Sequence, residues 1–264
     1  MAHNMTGKLI SNCQLNQRYG LMGIQAAQIA KEAVPGQFVN VKILTNSNDP
    51  LLRRPFSIHK VDRVRGIIYI LFKIIGKGTE ILFDLKKGTE IELLGPLGNG
   101  FEMMNNKSTL LIGGGIGIAP LYQLAAELTE ANNQLKVLLG LTDKEDLILS
   151  ETMEEFDSER ILVEEIPGER QGFVTRLLQE LDLSKYDQIY VCGPRPMFKA
   201  VKDILGDRAE DAQFSMEEKM GCGVGLCFSC TCKVEEKEDK DEWHNKRVCV
   251  EGPIFRGDEV VFDD

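Results

Sequence analysis

The chain is poor in histidine, in positive charge and in long apolar runs. Among its 264 residues are three histidines, His3, His59 and His244, and no G-x-S-x-G turn, so a self-contained hydrolase lacks its nucleophile motif. Lysine and arginine number 31 against 41 aspartates and glutamates, a formal net charge of −10, which argues against nucleic acid, whose phosphates call for a basic face. No stretch of about 18 apolar residues is present to span a bilayer. The opening Met1-Ala2-His3-Asn4-Met5 has neither the basic start nor the apolar stretch of a signal peptide. These features lead us to expect a cytoplasmic protein with no membrane or nucleic-acid partner.

Seven cysteines are present, and they are not scattered as a disulfide framework would scatter them. Cys222, Cys227 and Cys230 form C-x4-C-x2-C, with Cys249 following after eighteen residues. This is the plant-type spacing for a [2Fe–2S] cluster. The surrounding Gly221-Cys222-Gly223-Val224-Gly225-Leu226-Cys227 is rich in glycine, so the backbone can curl and aim N–H donors at sulfur without Cβ clashes. Four thiolates also suit zinc, although structural zinc sites favour two separated C-x2–4-C pairs. Cys232 falls outside the x4/x2 pattern and reads as a spectator. The charged run 233–247 reads as a solvated hairpin or loop between the third and fourth ligands.

The length allows two or three domains of about 100 residues. Up to about residue 102 the signals are short strands at 36–41, 54–58, 66–73 and 88–93, separated by turns, which predicts a small antiparallel β-barrel. From 103 to 208 the period changes to a strand–turn–helix rhythm, with strands at 109–112, 136–141, 160–165 and 188–192 and helices at 119–131, 174–181 and 196–205. That predicts a Rossmann-like parallel sheet. The remainder, 209–264, is the small cysteine domain, so the fold class is α/β plus β.

Gly113, Gly114, Gly115 and Gly117 lie between a strand and a helix, where bare backbone and a helix N-terminus can face a pyrophosphate. The strict G-x-G-x-x-G fails at Ile118, so the generic fingerprint is weak by itself and a plain tight turn stays open. Arg54-Pro55-Phe56-Ser57 offers a guanidinium for phosphate and a hydroxyl for a flavin ring, although a proline-bearing edge strand looks the same. Gly78-Thr79 offers a second backbone-plus-hydroxyl site, and Cys192 at a strand end could equally be an ordinary buried thiol.

In their order along the chain, Arg-Pro-Phe-Ser, Gly-Thr, Gly-Gly-Gly-Ile-Gly-Ile-Ala-Pro and Cys192-Gly193-Pro194 resemble the ferredoxin–NADP reductase superfamily over residues 5–205. With the cysteine loop and Cys249-Val250-Glu251-Gly252-Pro253 added, the whole chain is similar to electron transfer subunits of type B dihydroorotate dehydrogenases. The resemblance implies that Arg54, Pro55, Phe56 and Ser57 line FAD, that Leu71, Phe72 and Lys73 pass beside it, and that Gly78 and Thr79 hold its pyrophosphate. It implies NAD at Gly113, Gly114, Gly115, Gly117, Cys192, Gly193 and Pro194, and the [2Fe–2S] cluster on Cys222, Cys227, Cys230 and Cys249. The implied partner is an FMN-containing catalytic subunit in a heterotetramer, with electrons passing from dihydroorotate through FMN, cluster and FAD to NAD+. Departures from the pattern are Cys232 and the long charged insert before Cys249.

No side chain is assigned as acid or base, because a flavin converting between hydride and single electrons carries the chemistry itself. After the strand at 136–141 comes Thr142-Asp143-Lys144-Glu145-Asp146, whose carboxylates would repel a 2′-phosphate, and no arginine is expected there to welcome one, so NAD is expected over NADP. Two other readings remain open at this point. One is a small flavin and iron–sulfur subunit of an NADH-dependent ferredoxin:NADP oxidoreductase or of a sulfhydrogenase. The other is a zinc-stabilised redox-sensing docking module.

Overall fold

A computed structural model describes residues 2–43, 49–156, 160–165, 167–168, 171–235 and 243–262. The first seven strands are β1 (His3–Gln14), β2 (Tyr19–Gln25), β3 (Phe38–Val41), β4 (Arg54–Ser57), β5 (Lys60–Asp62), β6 (Ile67–Lys73) and β7 (Glu90–Leu97). They pair antiparallel in the order β4-β3-β7-β1-β2-β6-β5. The curl comes from β1, whose first half pairs with β7 and second half with β2, with a register irregularity between Leu9 and Ser11. Between β2 and β6 the ladder runs in register from Tyr19↔Lys73 to Gln25↔Ile67.

The expected barrel is an open half-barrel. Its edges are β4 and β5, four and three residues long, and no ladder among the described residues joins them. Such short strands offer too few backbone groups to close the sheet. Pro55, which has no N–H to donate, sits on the edge strand β4, where it is tolerated. Leu9, Met22, Ile24, Val39, Ile68, Ile70, Phe72 and Leu93 fill the concave side with residues of α1 (Ala27–Glu32) and α2 (Lys77–Asp84).

A second sheet is built from β8 (Ser108–Gly114), β9 (Gln134–Leu141), β10 (Arg160–Val163), β11 (Gln188–Cys192), β12 (Ala212–Ser215) and, across the cysteine segment, β15 (Ile254–Arg256). Its order is β10-β9-β8-β11-β12-β15, parallel except for β15. Strand order runs outward from β8 in one direction and then restarts at β11 on its other side. The gap between them is therefore the topological switch point, where such sheets open a crevice at their carboxyl ends. Its helices are α3 (Leu121–Glu130), α4 (Leu147–Glu151), α5 (Val174–Gln179) and α6 (Arg195–Leu205). The predicted strands and helices of this half all appear, with ends shifted by at most two residues: β8, β9 and α6 run longer than expected, and β10, α3 and α5 shorter.

Sequence periodicity gives no hint of β12 and β15, each too short to show one. Phe214 and Phe255 are register partners across them and are 0% and 3% exposed, so a buried strand pairing pins both ends of the cysteine segment to the sheet. Between them β13 (Thr231–Glu235) and β14 (Trp243–Arg247) make the hairpin expected of the charged run, whose middle, 236–242, lies outside the described residues. Phe38 and Leu97 from the half-barrel share one buried cluster with Leu110, Val191, Phe214, Cys230, Cys232 and Cys249, so the two sheets and the cysteine segment are one packed body. No helix among the described residues is long and apolar enough to cross a membrane.

Candidate functional site

The glycine turn and the Cys192-Gly193-Pro194 loop meet at the switch point. Gly113 and Gly114 end β8, and a 3-10 turn over Gly115–Ile118 leads toward α3. Gly115 has φ +50°, the left-handed region that glycine enters freely. A Cβ on Gly117 would stand 2.6 Å from the Cys192 carbonyl oxygen, and one on Gly114 would stand 2.6 Å from Met197 Sδ. The backbones therefore touch, which explains glycine there and leaves a shallow floor of amides with no side chain above Gly115. Cys192 is 8% exposed, its Sγ lies 3.5 Å from the Ser215 carbonyl, and burial pushes its thiol up to about 12.

Arg54, Pro55, Phe56 and Ser57 are all half-buried along β4. Arg54 meets the start of α2: a Cβ on Gly78 would stand 3.2 Å from its Nε. A guanidinium beside helix N-terminal amides suits a diphosphate. Thr79 is buried, and its Oγ1 accepts the amides of Ile75 and Gly76 at 2.9 and 3.2 Å while donating to the Gly76 carbonyl. Its hydroxyl therefore shapes the turn from inside the chain. Leu71 and Phe72 bury their side chains in different cores, so only Lys73 and backbone border solvent along that stretch.

In the cysteine segment, Cys222 Sγ receives the amides of Val224, Leu226 and Cys227 at 3.3–3.4 Å, and Cys227 Sγ receives the Cys222 amide at 3.3 Å. The Ser229 hydroxyl, 3.2 Å from Cys227 Sγ, and the Cys222 amide lower the Cys227 thiol to about 6. Cys230 and Cys249 are buried against each other, and burial with that neighbour pushes Cys249 up to about 12. Among the described residues no three His, Cys, Asp or Glu side chains close on a single-ion site. The four candidates stand instead as two pairs, Cys222 with Cys227 and Cys230 with Cys249. Cys232 points into the core at 4% exposure, and burial raises its thiol to about 11.

Three contributors escaped the sequence reading. Arg247 grips Glu251 through Nε and Nη2, donates to the Gly225 carbonyl at 2.9 Å, and stacks 4.9 Å from the Phe228 ring, clamping the cysteine loop. Its i,i+4 spacing to Glu251 was the available signal. Buried Asn40 donates to the Cys222 carbonyl at 3.3 Å. Arg18, from the β1–β2 turn, corrects the expectation that no arginine stands by the acidic segment: its Nε lies 2.7 Å from Glu145 and its Nη1 bonds Asp143, holding that carboxyl below the usual range. Nothing local in the sequence joins residues 125 positions apart. A separate cleft of about 360 Å³ between the sheets is lined by Leu21, His59, Lys60, Tyr69, Tyr122, Thr152 and Glu155, none of them predicted site residues.

An antiparallel half-barrel beside a parallel nucleotide sheet, with a cysteine loop packed on both, defines a reductase of the flavin and nicotinamide class that carries an iron–sulfur centre. The solved structures agree. The chain aligns over 99% of its length, and 91% of the other chain, with an NADH-dependent reduced ferredoxin–NADP oxidoreductase studied for flavin-based electron bifurcation, at TM-score 0.80 and 28% identity. The ferredoxin reductase of carbazole 1,9a-dioxygenase matches in fold at TM-score 0.67 and 19% identity, over 81% of this chain and 69% of that one.

Residues 217–261 match the iron–sulfur cluster binding domain of dihydroorotate dehydrogenase B, and residues 111–203 match the oxidoreductase NAD-binding domain. The Fusobacterium nucleatum protein named dihydroorotate dehydrogenase B (NAD(+)), electron transfer subunit, is 33% identical over 96% of both chains. Its namesake from Desulforamulus reducens is 39% identical over 92% of both. The chain belongs to this family of electron transfer subunits. Its cofactors are FAD, a [2Fe–2S] cluster and NAD.

Proposed function

We propose that this chain carries electrons from an FMN-containing dihydroorotate dehydrogenase catalytic subunit to NAD+, as one of two such chains in a heterotetramer working in the reducing cytoplasm. The observation that carries the reading is the two-by-two grouping of Cys222 with Cys227 and Cys230 with Cys249, since a two-iron cluster takes two protein sulfurs on each iron. When bound, NAD accepts a hydride, the cluster passes single electrons, and FAD converts between the two.

The chain supplies position and electrostatics. Arg54 with the amides of Gly78 and Thr79 would hold the FAD pyrophosphate, while Pro55, Phe56, Ser57, Lys73 and the backbone of Leu71 and Phe72 would line its path. Gly113, Gly114, Gly115 and Gly117 would bring bare amides to the NAD pyrophosphate, with Cys192, Gly193 and Pro194 closing the nicotinamide end. Asp143 and Glu145, even paired with Arg18, leave an excess of negative charge with Asp146 that opposes a 2′-phosphate. Domain limits near residues 102 and 208 accompany this division of labour, with strands β12 and β15 tying the third part to the second.

The test is Cys227→Ala in the full chain co-purified anaerobically with its catalytic partner. The expected result is loss of the iron–sulfur absorption and of dihydroorotate-dependent NADH formation, with FAD retained. An intact cluster spectrum would remove Cys227 from the ligand set, and with it the pairing that carries the reading.

A further inference from the structure

Val39 and Val41 turn into the half-barrel core, so the alternation of a strand sends Phe38 and Asn40 to its outer face. There they stand opposite Ser57 and Pro55 of the proposed flavin strand. Phe38 packs against the cysteine segment, as an apolar residue in that place should. Asn40 is 2% exposed, and a carboxamide in such a place is costly unless it is bonded. Its Nδ2 donates to the Cys222 carbonyl at 3.3 Å.

The fit leaves no slack. A Cβ at Gly223 would fall 1.9 Å from Asn40 Nδ2, and Gly223 has φ +68°, so glycine is needed there both for space and for conformation. The peptide linking Cys222 to Gly223 is thus held from the half-barrel side by one side chain. Cys222 is also the residue whose sulfur collects three backbone amides, at Val224, Leu226 and Cys227. Donors to a ligand sulfur stabilise the electron-rich reduced cluster and raise its potential.

We propose that Asn40 is a positioning residue that tunes the cluster from the flavin side. Seated between the Arg54–Ser57 strand and the Cys222–Gly223 peptide, its carboxamide fixes the loop that delivers amides to Cys222 sulfur. Asn40 thereby helps decide how an electron divides between flavin and cluster. This rests on the placement of FAD and cluster proposed above. Asn40 touches neither reacting group in that placement and acts through Cys222.

The experiment uses the full chain carrying its own FAD and cluster, with midpoint potentials read by optical and electron paramagnetic resonance titration. Wild-type protein without flavin and iron–sulfur signals would overturn the cofactor placement itself, before any variant is judged. With those signals present, Asn40→Leu, nearly the same shape but with no donor, should lower the cluster potential and alter its resonance g-values. The electron's partition toward the cluster should fall about tenfold, which is about 59 mV for one electron. Asn40→Asp keeps the shape, faces a carbonyl with a carboxylate and should lower the potential further, with FAD content unchanged in both. A lowered melting temperature with an unmoved cluster potential and unchanged g-values in Asn40→Asp would overturn the proposal and leave Asn40 as packing alone.

Discussion

Replacing Gly117 with alanine tests the nucleotide crevice at its tightest point. The new methyl would stand 2.6 Å from the Cys192 carbonyl oxygen and 2.7 Å from Gly193 Cα, whereas ordinary contact begins near 3.4 Å. Both obstacles are backbone, so the glycine turn and the Cys192-Gly193-Pro194 loop must separate by about 0.8 Å. Overpacking of this kind costs about 1–3 kcal/mol, and a displacement approaching 1 Å in a positioned site costs up to about 100-fold in rate. At about 2–4 °C per kcal/mol for a chain near this size, the melting temperature should fall by roughly 2–12 °C. The assay is NADH-driven reduction of ferricyanide by the FAD-loaded chain, with the visible spectrum recorded in parallel. KM for NADH should rise about 10- to 100-fold while flavin and cluster absorption stay unchanged. Wild-type KM in a variant with the expected thermal destabilisation would show that the nicotinamide nucleotide does not use this crevice.

His59 is 3% exposed, its Nδ1 lies 2.9 Å from the Ala119 carbonyl, and burial lowers its pKa to about 4 from 6.5. The folded state binds that proton less readily than the unfolded chain does. Its contribution is therefore complete above pH 6.5 and lost as pH falls toward 4, amounting to about 3 kcal/mol at most. Urea midpoints followed from pH 7.5 to 4.5 should fall more steeply in wild type than in His59→Phe, and equal slopes would show that this histidine is not the source. Asp143 is held below the usual carboxylate range by Arg18, so that pair stabilises above the unfolded carboxylate value and fades as pH falls through the lower folded one. Arg18→Gln should flatten the acid limb of the melting-temperature profile below about pH 5, and an unaltered limb would deny the link between the two sheets. The same variant, by unmasking Asp143 and Glu145, should strengthen discrimination against NADPH, and weaker discrimination measured as a kcat/KM ratio would reverse the charge reading.

What could be read along the chain was whatever repeats or punctuates locally. The βαβ rhythm from 108 onward and the x4/x2 cysteine spacing carried their structures in plain order, because parallel strands are continuous apolar runs and a ligand loop is contiguous. The half-barrel was legible only as strands. Its opening follows from the brevity of β4 and β5, and its curl from one irregularity in β1, neither of which composition encodes. Arg18 and Asn40 lay hidden for one reason: each acts on residues far away in sequence, at Asp143 and Cys222 respectively, through contacts that exist only once the sheets are packed. Thr79, expected beside a pyrophosphate, has its hydroxyl turned inward to its own Gly76, a contact that a Gly-Thr pair does not announce.

Because Ser215 pairs with Ile254, the cysteine segment leaves and rejoins the second sheet at neighbouring points, like a bight of rope seized at its base. A carrier seized in this way cannot swing between docking stations as a domain on a single flexible tether can. Its working distances are those of the folded chain at rest, and internal electron passage should be indifferent to solvent viscosity, with glycerol or sucrose slowing only the arrival and departure of the diffusing nucleotide.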